Sequence, residues 1–157
     1  MGIPNISIKY NKMHGAVAVE MALLLIPLIV LAIGVAEFGR ALYQYNTVTK
    51  SVRDAVRLLS QHDSTDAAYS THITEAKCLV VYGTTDCSGS PLLSGLTTGM
   101  VSAATSTVNT DLGNTLRMAT VTVTGYTFNF VFNPLVFGGS SGSTIPFGPI
   151  HATMRQI

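Results

Sequence analysis

His14-Gly15-Ala16-Val17-Ala18-Val19-Glu20-Met21 opens a run that continues without a break from Ala22 to Ala36, and the reading of this stretch decides the fold. Across the 21 residues from Ala16 to Ala36 the only ionisable side chain is Glu20. About 20 predominantly apolar residues suffice for a helix to cross a bilayer. Lys9 and Lys12 precede the run, and no Lys or Arg follows until Arg40. That bias points to a cytoplasmic N-terminus, although Arg40, Lys50, Arg53 and Arg57 dilute it. A carboxylate inside such a span costs roughly 2.5–3.5 kcal/mol at mid-helix and less near the interface, which makes Glu20 a functional candidate. The plainer reading places Glu20 at headgroup depth, near a helix N-terminus whose dipole favours an anion.

Working outward, the helical pattern does not stop at Ala36. Leu42, Tyr45, Val48, Val52, Val56 and Leu59 recur at spacings of three and four and mark one helix face, while Lys50, Arg53, Asp54 and Arg57 fall elsewhere. One helix from about Ala16 to Ser60 follows, roughly 68 Å long at a rise of 1.5 Å per residue. Pro27 removes a backbone hydrogen bond to Leu23, so it is either a tolerated membrane proline or a flexible point. Gly34 and Gly39 leave thin places for close helix approach. Glu37 and Arg40, three apart, pair with a gain of about 0.2–0.5 kcal/mol at a wet surface.

A short polar leader, Gly15, and an apolar helix with Glu20 at the fifth position after a cut between Gly15 and Ala16 resemble the prepilin-type signal of type IV pilins and pseudopilins. The sequel Glu37-Phe38-Gly39-Arg40 is similar to the end of the apolar run in TadE-like minor pilins of the tight-adherence (Tad/Flp) pilus machinery. The resemblance covers about residues 15–60, and Ala152-Thr153-Met154-Arg155 resembles the last strand of that family. It implies processing at Gly15/Ala16 by a membrane-embedded prepilin peptidase and a bacterial inner-membrane location. It further implies assembly with other pilins or pseudopilins on an inner-membrane platform. Glu20 would then neutralise the new ammonium of Ala16 and set subunit register. The major Flp pilins are much shorter, so the size of this chain fits a minor component. Two alternatives stay open. Residues 1–36 also resemble a secretory signal peptide, with Gly34 and Ala36 as small residues for cleavage, releasing a Ser/Thr-rich binding domain. The span would otherwise be an unprocessed anchor.

Composition narrows the function classes. The chain has 157 residues, 11% of them charged and 47% apolar, no Trp, and a net charge of +1. Nothing there recommends nucleic acid as a partner. His14, His62, His72 and His151 form no metal-ligand pair by spacing, and the carboxylates form no constellation. No phosphate loop, nucleophile elbow or Cys–His–Asn set is present. The expected protein is no enzyme, needs no cofactor or metal, and contacts lipid. Cys78 and Cys87 are a poor zinc site, since structural zinc takes four ligands. They are either a disulfide, given an oxidising compartment, or two unrelated buried thiols.

The expected organisation is a leader (1–15), a transmembrane part of the long helix (16–36), its amphipathic outer half (37–60) and a small α+β extracytoplasmic domain (61–157). Asp66 is the candidate N-cap of a second helix reaching about Val81. Strand candidates are 98–106, 116–130 and 147–156, forming an antiparallel sheet of about three strands. Within 116–130 the apolar set switches parity, from Val121 and Val123 to Tyr126, Phe128, Phe130 and Phe132, so a bulge or bend is expected at Gly125. Residues 133–146 read as a long loop with exposed apolar groups. The fold class is α+β and pilin-like.

Overall fold

Ala, Leu, Met, Gln, Glu and Lys or Arg fill about half of the positions between Gly15 and Ser60, and these lose little side-chain freedom in a helix. A computed structural model, which describes residues 14–110, 113–132 and 142–157, has a single helix α1 over His14–Ser60. It continues through Pro27, whose absent N–H removes one bond without ending the helix. The C-terminus tightens into a turn: Gln61 N–H reaches Leu58 O at 3.2 Å and His62 N–H reaches Leu59 O at 3.3 Å. The leader expected over residues 1–13 lies outside the described residues.

Helix α2 spans Tyr69–Tyr82. Asp66 is not its N-cap. The cap position is Ala68, which has no side-chain cap bond, and Asp66 instead organises the preceding turn by accepting from Ala68 N–H at 3.0 Å. At the other end Gly83 takes φ 77°, and its N–H reaches Leu79 O at 3.0 Å. A left-handed C-terminal residue of this kind favours glycine. The site is also tight, because a Cβ there would meet Leu92 Cδ2 at 3.2 Å.

After a 3-10 turn at Thr98–Met100, strands β1 (Val101–Asn109), β2 (Thr115–Val123), β3 (Thr127–Asn129), β4 (Thr144–Pro146) and β5 (Ile150–Arg155) follow. They form a three-stranded antiparallel sheet in the order β1-β2-β5 and a separate two-stranded pair, β3-β4. The registers include Val101↔Val123 and Val121↔Ala152 in the first and Phe128↔Ile145 in the second. The molecule is therefore α+β, with one more sheet than expected. The stretch 116–130 divides at Gly125, which takes φ 77°. Before it the odd positions Ala119, Val121 and Val123 are buried; after it the even positions Tyr126 and Phe128 are. Part of the expected 133–146 loop is strand instead, since Thr144–Pro146 pairs with β3; residues 133–141 of that loop lie outside the described residues.

The core lies between the outer half of α1, helix α2 and the inner face of the three-stranded sheet. Val48, Val52, Ala55, Val56 and Leu59 of α1 meet Ala76, Val80 and Val81 of α2 and Ala119, Val121 and Val123 of β2. Of the face read from periodicity, Leu42 and Tyr45 are outside this core, at 46% and 44% exposure, because the sheet covers α1 only from about Val48 onward.

Candidate functional site

From Ala16 to Ala36 most of the helix is exposed, and only Val30, Ile33 and Gly34 are partly covered. Eleven large apolar side chains, from Val17 to Val35, are 46–69% exposed. The helix is long and apolar enough to cross a membrane, and none of its most apolar stretch is buried. Gly15, Ala16 and Glu20 sit together in the first turns, all exposed. Pro27 faces outward too. Among the described residues, Cβ atoms added at Gly34 or Gly39 would meet nothing within 4 Å, which leaves room for close approach there.

Where the apolar run ends, a compact joint begins. Glu37 was expected at a wet surface; it is buried, at 6% exposure. Its Oε2 accepts from Arg40 Nη1 at 2.6 Å, and its Oε1 accepts from the Phe132 N–H at 3.4 Å. Arg40 also donates through Nη2 to Asn129 O at 3.4 Å and lies 5.2 Å from the centre of the Phe128 ring. The segment from Thr127 to Phe132 thus shields the carboxylate from water. In that setting the pair is more than the weak i,i+3 contact of an exposed helix, because removing Arg40 strands a buried charge. Gly39 is exposed, and Phe38, 65% exposed, borders the joint from its solvent side.

Aromatic rings extend the joint along the helix. Phe128 meets Phe130 edge-on at 5.1 Å, and Phe147 meets Tyr45 edge-on at 5.8 Å. Such arrangements follow from the ring quadrupole. Between α1 and this pair of strands runs an apolar groove of about 220 Å³, lined by Gly34, Phe38, Ala41, Phe130, Ile145 and Phe147 among others.

Cys78 and Cys87 are joined as a disulfide, with Cα atoms 4.7 Å apart, closing the α2 end onto the loop after Gly83. The histidines, separate in sequence, are partly gathered: the rings of His62 and His72 stack at 3.6 Å, and His72 Nδ1 lies 2.8 Å from Glu75 Oε2. Among the described residues no three His, Cys, Asp or Glu side chains are placed to hold a metal ion.

Three anchoring contacts gave no sequence signal. The Tyr126 hydroxyl donates to Gln44 Oε1 at 3.0 Å, and burial pushes its pKa up. Gln156 Nε2 donates to His62 O at 3.0 Å and to the Tyr69 hydroxyl at 2.9 Å, tying the C-terminal segment to the end of α1. Arg117 Nη1 donates to Asp63 Oδ1 at 2.7 Å. The Asp63 carboxyl is held below the usual carboxylate range, first by hydrogen bonds from Thr65 and then by Arg117. All three join residues more than fifty positions apart, so no local pattern announces them.

The family model described as TadE-like protein matches residues 15–57, which begins at Gly15 and stops within α1. The match does not reach β5, where Ala152-Thr153-Met154-Arg155 lies. No curated protein and no solved structure matches the chain. The matched span contains Glu20, Pro27 and Glu37-Phe38-Gly39-Arg40, so over residues 15–57, about a quarter of its length, the chain is similar to TadE-like proteins.

Proposed function

We propose that this protein is a minor pilin or pseudopilin of a Tad/Flp-type pilus, cut between Gly15 and Ala16 by a prepilin peptidase and held in the bacterial inner membrane by residues 16–36 until assembly. The observation that carries the reading is the largely exposed apolar half of α1, bearing one acid at Glu20, inside a TadE-like match that starts at Gly15. A helix apolar on all sides requires a cover from outside its own chain. Lipid supplies it before assembly, and the helices of neighbouring pilins or pseudopilins supply it afterwards. In that low-dielectric setting the ammonium of Ala16 at the helix N-terminus is unfavourable, and Glu20 of the same or the next subunit offsets it. The folded part from residue 61 onward then projects on the outer side, and partners include the inner-membrane assembly platform.

Intact-mass measurement of the protein from its native host, without reduction, tests the processing step and the state of the thiols together. A chain beginning at Ala16 supports the reading. One beginning near Glu37 points to a secreted binding domain, and one retaining residues 1–15 points to a plain anchor. Gly15→Leu leaves uncut precursor in the membrane. Glu20→Ala is cut but fails to assemble; normal piliation in that variant removes the register role of Glu20.

A further inference from the structure

We propose that the β3–β4 pair is a second membrane contact, seated in the lipid headgroup layer beside the point where α1 leaves the bilayer. This rests on reading 16–36 as the span. The geometry fixes the level of the pair along the helix. Phe132 N–H meets Glu37, and Asn129 O and the Phe128 ring meet Arg40, so the strand descends along α1 toward the last apolar residues. Ile145 stands opposite Phe128 in the register. From Ala36 to Arg40 the helix rises only about 6 Å. The polar layer on each side of a bilayer is roughly 5–7 Å deep. If Ala36 lies at the edge of the hydrocarbon, Glu37 to Arg40 and the strands bonded to them fall inside that layer.

The side chains at this level suit an interface. Phe38 is 65% exposed, Val131 81%, Phe132 42% and Ile145 43%, a band around one height of the molecule and continuous with the apolar helix below it. Aromatic rings, tryptophan and tyrosine above all, concentrate at this depth in membrane proteins, and arginines near the ends of spanning helices reach to it. Arg40 keeps 41% of its side chain open, which suits a phosphate oxygen, while the one acid of the joint, Glu37, is turned inward. Lipid is favoured over a second copy of the chain because the exposed groups form a band at one height, whereas a helix docking alongside would need a stripe along the axis.

The chain contains no tryptophan, so each introduced one is a single reporter. Three full-length variants are compared in phosphatidylcholine vesicles with and without bromine high on the acyl chains: Leu24→Trp in the span, Val131→Trp in the band, and Val108→Trp on β1, which is 51% exposed and away from the band. The expected result is blue-shifted emission quenched by bromine for Leu24→Trp and Val131→Trp, and neither effect for Val108→Trp. Quenching of Leu24→Trp with Val131→Trp behaving like Val108→Trp overturns the contact and leaves the span intact. A blue shift of Val131→Trp without bromine quenching means a second protein chain covers the band, which also overturns it. If Leu24→Trp is itself unquenched, the span reading fails, and the membrane contact falls with it.

Discussion

The two halves of α1 use similar aliphatic residues to opposite ends. Between Val17 and Val35 eleven large apolar side chains are about half to two-thirds exposed; between Val48 and Leu59, Val48, Val52, Val56 and Leu59 are fully buried. The outer half confines its apolar groups to one stripe and gives the other faces to Lys50, Arg53, Asp54 and Arg57, so one sheet and one short helix can cover it. The inner half has no polar face, and no single packing partner could cover it. Fully burying one Val, Leu or Ile gains roughly 1.5–3 kcal/mol. Eleven such residues together outweigh the whole stability of a typical domain, about 5–15 kcal/mol. The inner half is therefore built for an external apolar surround, and the joint at Glu37 and Arg40 marks the boundary.

The largest effect that can break this comparison comes from the same substitution made on each side of the joint. Leu59→Ala empties a site with 0% exposure and lowers the stability of the folded outer part by roughly 2–5 kcal/mol. Leu24→Ala, at 69% exposure, leaves the unfolding midpoint of that part unchanged. Denaturant melts of both variants in mild detergent, followed by circular dichroism beside the parent protein, check this. Equal shifts would mean that the halves unfold as one unit and that the boundary has no energetic meaning.

How much of this was legible beforehand depends on how local the cause was. The long helix was readable because its stripe repeats every three or four residues through Leu59. The bend at Gly125 was readable because the buried set changes parity there, from Val123 to Tyr126. Strand β4 was not: Thr144-Ile145-Pro146 has no alternation long enough to register and is a strand only because β3 pairs with it. The burial of Glu37 was equally hidden, since its cover arrives from Phe132, 95 positions along the chain. At the candidate site the acid at Glu20 and the run at Glu37-Phe38-Gly39-Arg40 stood out in the sequence, whereas the contacts that give Glu37 and Arg40 their setting did not.

A smaller effect sharpens the same contrast. The Cys78–Cys87 bridge closes a short loop at a separation of nine residues, well beyond the joint. Constraining a loop of that size in the unfolded chain contributes roughly 2–3 kcal/mol. Cys78→Ala combined with Cys87→Ala lowers the melting midpoint of the outer part accordingly. Membrane extraction of the same variant by carbonate follows the parent protein, because no residue between Ala16 and Ala36 depends on the bridge. A loss of membrane retention would show that the folded part helps to hold the inner half in place.

The smallest effect lies at the far end of α1, where Asp63 closes the turn after Ser60. Its carboxyl accepts from Thr65 N–H at 2.9 Å and from Arg117 at 2.7 Å, and its pKa is lowered in the folded protein. A group whose folded pKa lies below its unfolded value, near 3.9 for aspartate, adds stability above that unfolded value. The contribution is lost as pH falls through the folded pKa. The carboxylate is exposed, so water screens the ion pair and the gain is modest. Hydrogen bonds from Thr65 hold the carboxyl down more than the water-screened charge of Arg117 does, and this gives the sharper test. In Arg117→Gln, a carbon-13 titration of the Asp63 carboxyl should therefore still show a lowered midpoint, only partly relaxed toward 3.9. In Asp63→Asn the corresponding acid loss of stability disappears while the inner half of α1 is untouched. A full return of the Asp63 midpoint in Arg117→Gln would instead make the link from β2 to the helix end the dominant force there, and the turn a passive consequence of it.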